Sequence, residues 1–148
     1  MNAATILDGA FRWARDRRDV TYRMGAEDPR KGGAFDCSSW LWNLLGERKH
    51  DRNTDWILRD ATGPQTRFRQ IAQPVPGCIA VYGTRWEKTA GKPTRHAGHV
   101  GVVVDPVKKT VVDCSSSQNG IRLHRQRVLF DGPSDGRKVV FCECVGEA

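Results

Sequence analysis

The sequence predicts an α+β domain in which N-terminal helices pack on a C-terminal antiparallel β-sheet. Three observations carry that expectation. Apolar residues recur at helical spacing up to Ala61, β-branched and alternating runs fill the chain after Gly77, and "QPVPG" (Gln73 to Gly77) separates the two regimes. A chain of 148 residues is long enough to bury one core without help from disulfides, so a single domain, 1–148, is expected.

Ile6, Ala10, Trp13 and Ala14 share one helical face and predict a first helix that ends before Val20. From Cys37, the apolar stripe Trp40, Leu41, Leu44 and Leu45 predicts a second helix, with Gly46 as its stop. Asn53 to Ala61 opens on capping residues and carries Trp56 and Ile57, a third helix that Gly63-Pro64 ends before "QTRFRQIA". Beyond the prolines, "CIAVY", "HVGVVV", "TVVDC", "GIRLHRQRV" and "RKVVFCECV" read as the strands of a meander. Asp105-Pro106 and Asn119-Gly120 mark turns, the second a hairpin.

No apolar run has signal-peptide length, and none approaches the roughly 18 residues of a membrane span, so a soluble chain made in the cytosol, without membrane insertion, is expected. Cys37, Cys78, Cys114, Cys142 and Cys144 are odd in number and irregular in spacing, which favours reduced thiols over a disulfide framework. The net charge of +7 suits polyanions such as nucleic acid, anionic lipid or bacterial wall polymers. Its cations are scattered among acids, however, as a solvated surface would be.

The most informative stretch is "FDCSSWLWNLLG", which sets Cys37 where a helix begins. Unpaired amides and the helix dipole favour an anion there, and thiolate is the nucleophilic form of cysteine. Cys37 can equally be a small buried residue opening the Trp40 stripe. His99 starts a β-branched strand in "HAGHVGVVVD" and can serve as a base; Asp113, an acid inside the apolar strand "TVVDC", needs a buried partner, and an imidazole on the neighbouring strand supplies one. Thiol, imidazole and carboxylate then make a nucleophile, a base and an orienting group.

The ordered set "YRMG", "FDCSSW", "PGC", "GHVGVVV" and "VVDCSSS" resembles the NlpC-type family of papain-like cysteine peptidases, which cut peptide bonds in bacterial cell walls. The resemblance runs from Tyr22 to about Ile121. It implies a papain-like fold, Cys37 as nucleophile, His99 as base, Asp113 as orienting residue, and Tyr22, Asp36 and Ser38 around the oxyanion and substrate. Ser39 stands where the family has glycine, Cys78 where it has aspartate, and Asp113 where histidine is more usual. The implied reaction is hydrolysis of an amide bond in the peptide stem of peptidoglycan through an acyl-thioester, with no cofactor or metal and with the protein acting as a monomer. Without a signal, the protein is expected to reach the wall as a phage endolysin released through a membrane lesion or as an exported interbacterial amidase effector.

The same residues admit other readings. His96 and His99, with Cys114, suggest zinc, but on one strand the histidines would point to opposite faces. His50, in "ERKHDRN", and His124, in "IRLHRQRV", read as solvated surface; Asp105 lies about 20 Å along the strand from His99, too far to orient it. Cys142 and Cys144 read as core, and Ser115, Ser116 and Ser117 as loop residues that can line a cleft. A papain-like acyltransferase and a non-catalytic basic module that binds nucleic acid are the alternative functions; the second needs aromatics interleaved with Lys and Arg on one sheet face, and no such stripe is present.

Overall fold

Asn2 opens the first helix by accepting the Thr5 N–H at 2.9 Å, which satisfies one of the donors that a helix start leaves unpaired. The computed structural model describes residues 1–47 and 52–145; His50 lies outside them. Helix α1 spans Ala3–Asp16 and buries Ile6, Ala10 and Ala14 of the predicted stripe, with Trp13 half-buried beside them. After it, β1 (Thr21–Tyr22) and β2 (Ala34–Phe35) form a short parallel pair that leads into α2 (Cys37–Leu44). Gly46 stops α2 with φ +83°, a conformation that favours glycine. Asn53 caps α3 (Thr54–Ala61) by accepting from the Trp56 N–H.

The sheet comprises β3 (Phe68–Ile71), β4 (Ile79–Tyr82), β7 (His99–Asp105), β8 (Thr110–Ser115), β9 (Gly120–Arg125) and β10 (Val140–Cys144). Every pairing in it is antiparallel, and the order is β3-β10-β4-β7-β8-β9. Helices α1 and α2 pack against β7 and β8, and α3 against β3 and β4. The core between helices and sheet includes Trp40, Leu41, Val100, Val102, Val112 and Cys114. On the opposite face, the short α4 (Val128–Asp131) sets Leu129 among Ala80, Tyr82, Val103 and Val111.

The α+β expectation therefore holds, with several corrections of detail. Strand β3 precedes the prolines, where only helices are expected. Its start is shaped by Asp60, whose buried carboxylate accepts the N–H groups of Thr66, Arg67 and Phe68, each at 2.9 Å. The sheet is not a plain meander, because β10 returns to insert between β3 and β4. The run predicted as a strand through Val128 stops at Arg125, and Val128 opens α4. Between β4 and β7 the chain makes a separate two-stranded hairpin, β5 (Arg85–Thr89) and β6 (Lys92–His96), which the strand patterns leave unassigned.

Candidate active site

Asp36 sets the position of Cys37. Its carboxylate caps α2 by accepting the Ser39 N–H at 2.9 Å, and the Ser39 hydroxyl accepts the Asp36 N–H at 3.0 Å, a reciprocal capping box. The other carboxylate oxygen accepts the Gly25 N–H at 3.0 Å, and the Ser39 hydroxyl donates to the Ala26 carbonyl at 2.6 Å. This accounts for serine in place of glycine at 39: the hydroxyl ties the helix start to the preceding loop. Ser38 also turns inward and donates to Asp36. Asp36 and Ser38, expected near the substrate, are thus engaged in holding the helix start. Cys37 is left as the first helical residue, 7 % exposed.

The Cys37 thiol lies beside His99 and acts on the ring's protonation. His99 donates through Nε2 to Asp113 Oδ2 at 2.6 Å, so Nδ1 is the nitrogen left for the thiol. Gly101 makes room for this alignment: a Cβ there would stand 3.1 Å from the Asp113 Cβ and 2.8 Å from Leu129 Cδ1. Alternation along β7 puts Gly101 and His99 on the same face, and this brings the imidazole beside the carboxylate on β8. Asp113 is fully buried. It accepts a second imidazole as well, His124 Nε2 at 2.6 Å on Oδ1, and Gln126 Nε2 at 3.3 Å on Oδ2.

Burial alone would push the Asp113 carboxyl up, but the hydrogen bonds from His124 and His99 outweigh it and hold the group low. For His99, burial opposes the charged ring, while the hydrogen bond with Asp113 and the neighbouring Cys37 prevail and favour the imidazolium. The buried thiols of Cys78, Cys114 and Cys142 are pushed up, in each case chiefly by desolvation. Cys114 is further occupied in donating to the Phe35 carbonyl at 3.4 Å.

A cleft of about 220 Å³ opens over His99, lined also by Tyr22, Tyr82, Gly98, Gln126 and Ser115 to Ser117. The three serines thus line it, Ser116 and Ser117 from the turn after β8 and Ser115, against the loop expectation, as the last residue of that strand. Tyr22 pairs with Phe35 across β1 and β2, two residues before Cys37, which brings its phenol to the cleft. Burial, followed by the proximity of Cys37, Asp36 and Cys114, pushes that phenol up to about 12, so it stays a hydrogen-bond donor at neutral pH.

The reading of His124 as surface is corrected here: its side chain is 14 % exposed and bound to Asp113. Hairpin register could have revealed it, since Val111 pairs with His124 and Asp113 with Arg122, which sets His124 diagonal to Asp113 on the same face. His96 and His99 do not share a strand. His96 ends β6 and meets Glu87 at 3.0 Å, while His99 starts β7. Among the described residues, no group of three or more His, Cys, Asp or Glu is placed to hold a metal ion. Cys142 is buried and Cys144 half-buried. Asp105 is spent on the β7–β8 turn, where it accepts the Val107 N–H at 2.9 Å. No helix among the described residues is long and apolar enough to cross a membrane.

A thiol that can pass its proton to an imidazole backed by a buried carboxylate can attack an electrophilic carbonyl and hold the acyl group as a thioester. Compared with known protein families, residues 7–141 match the model described as bacteriophage peptidoglycan hydrolase. No curated protein and no solved structure matches the chain.

Proposed function

Because the chain belongs to the bacteriophage peptidoglycan hydrolase family, we propose that its wall-hydrolysing chemistry is that of a cysteine amidase acting on the peptide stem, with Cys37 as nucleophile, His99 as general base and acid, and Asp113 as the orienting carboxylate. The observation that carries this reading is the placement of His99, which is bonded through Nε2 to the buried Asp113 carboxylate and lies beside the Cys37 thiol, with Nδ1 left for it.

The thiol proton passes to His99 Nδ1 first, giving a thiolate beside the imidazolium that the site favours; the thiolate then attacks the amide carbonyl, and a C–S bond forms while the carbonyl oxygen takes the negative charge. The Cys37 N–H, at the unpaired start of α2, and the Tyr22 hydroxyl are the donors proposed for that oxygen. Collapse breaks the C–N bond, and the amine leaves with the proton from His99. Water then adds to the thioester with His99 again accepting a proton, and the acid departs as sulfur regains its hydrogen. The resemblance to NlpC-type peptidases and the net positive charge, which suits an anionic wall, support the same reading.

The test is incubation with purified peptidoglycan in the presence of a chelator. New free amines with intact glycan strands are expected, and both Cys37→Ala and prior thiol alkylation should abolish them. New reducing sugar ends without new amines would overturn the proposal, because they would require glycosidase chemistry.

A further inference from the structure

We propose that the β5–β6 hairpin is a substrate-binding arm whose Arg95 pairs with a free carboxylate of the peptidoglycan stem peptide while Trp86 packs beside it. The inference rests on the amidase reading for its choice of ligand.

The hairpin lies outside the six-stranded sheet, yet both its ends join the cleft: it leaves from Tyr82 and returns through Gly98 to His99. Its base is clamped. Arg137 donates to the carbonyls of Gly83, His96 and Ala97 at 2.8, 3.0 and 2.9 Å and lies 4.9 Å over the Tyr82 ring. Asp135 joins Arg137 to Arg85, and Glu87 accepts from Arg85 and faces His96. The base thus neutralises its own charges and sets the arm at a defined angle to the cleft.

Farther out the chemistry differs. Trp86 is 62 % exposed, and its cross-strand partner is Arg95, so indole and guanidinium share one face. Arg95 is exposed and enters no ion pair among the described residues, while its charge is felt by the Tyr22 phenol inside the cleft. Lys88 and Lys92 add positive charge to the same exposed arm. An exposed guanidinium beside an exposed indole, on an arm whose clamped base borders the cleft, is suited to a planar anion carried on an extended chain. A stem peptide supplies free carboxylates close to its amide bonds. Arg95 would hold one of them and so choose which amide lies over Cys37.

Binding and turnover separate this proposal from the one beneath it. In the Cys37→Ala background, titration calorimetry is run with two soluble stem peptides, one bearing free carboxylates and the other the corresponding carboxamides. The carboxylate peptide should bind about tenfold or more tightly, as a charge-assisted pair requires. Arg95→Gln should erase that preference by weakening the carboxylate peptide alone, Arg95→Lys should keep part of it, and Trp86→Ala should weaken both peptides. A preference that survives Arg95→Gln, or equal binding of the two peptides by the parent, overturns the arm. If Cys37-intact protein fails to hydrolyse either peptide while the preference stands and Arg95→Gln removes it, the amidase reading falls and the arm remains. Tighter binding of a short DNA strand than of either peptide would reassign the arm to nucleic acid and overturn the proposal.

Discussion

His124 donates to the Asp113 oxygen that His99 leaves free, so one fully buried carboxylate holds an imidazole from the strand on each side, both at 2.6 Å. His124 is absent from the cleft lining, and its hydrogen bond goes to Asp113. In the proposed mechanism it is therefore a positioning residue. His124→Phe leaves a buried carboxylate oxygen unpaired, a loss of about 1–3 kcal/mol, and frees Asp113 to turn away from His99. Thermal melts should show the lost stability. Steady-state kinetics should show a lower kcat with little change in KM and a displaced acid limb in the pH profile, with partial rescue by His124→Gln, which retains a donor. Unaltered kcat and pH profile in His124→Phe would reduce the residue to a packing role.

The same cluster predicts how stability varies with pH. Asp113 is held below its ordinary value of 3.8, so its contribution is present above that pH and is lost as the pH falls through the lower folded value. His99 is shifted the other way from 6.5, so its contribution is complete below that pH and fades as the pH rises through the higher folded value. The difference in Tm between the native chain and Asp113→Asn should thus be widest between pH 3.8 and 6.5 and narrow on either side. A difference that stays constant from pH 2 to 10 would contradict the ionic character assigned to the cluster.

Thiol reactivity should single out Cys37. Burial raises the thiols of Cys78, Cys114 and Cys142, whereas Cys37, itself buried, lies beside His99, which lines the cleft, and half-buried Cys144 is its nearest rival. Brief iodoacetamide treatment near neutral pH, followed by peptide mapping, should label Cys37 ahead of the other four, and His99→Ala should slow it. Labelling of Cys37 no faster than Cys142 would restore it to the apolar stripe of α2.

What could be read from the chain follows from the range of the interactions involved. The helices were legible because caps and apolar spacing are local: Asn53 and Gly46 fall where α3 begins and α2 stops. Strands β7 and β8 were legible for the same reason. The place of β10 between β3 and β4 depends on pairings distant in sequence, such as Cys142 with Gln70 and with Ile79, that no local pattern encodes. His124 was hidden because alternation in "IRLHRQ" suggests that Leu123 turns inward. At this edge strand Leu123 is instead 50 % exposed, and it is the imidazole that is drawn in by a buried charge. The hairpin arm is not legible because Trp86 is an isolated apolar residue among polar ones, which leaves no apolar alternation to detect.

Asp36 offers a means to separate structure from substrate contact. Its two oxygens accept from Ser39, Ser38 and Gly25, a set that organises the start of α2 and so the approach of Cys37 to His99. Asn caps a helix about as well as Asp, whereas loss of a capping side chain costs about 0.5–2 kcal/mol. Asp36→Ala should lower both Tm and kcat, the latter because the thiol is no longer held at a defined position. Asp36→Asn keeps the cap, loses only the acceptor facing Gly25, and should retain most of the stability and turnover with KM unchanged. If Asp36→Asn instead raised KM sharply at native-like Tm, the carboxylate charge itself would be meeting the substrate, and the assignment of Asp36 to the helix start would be incomplete.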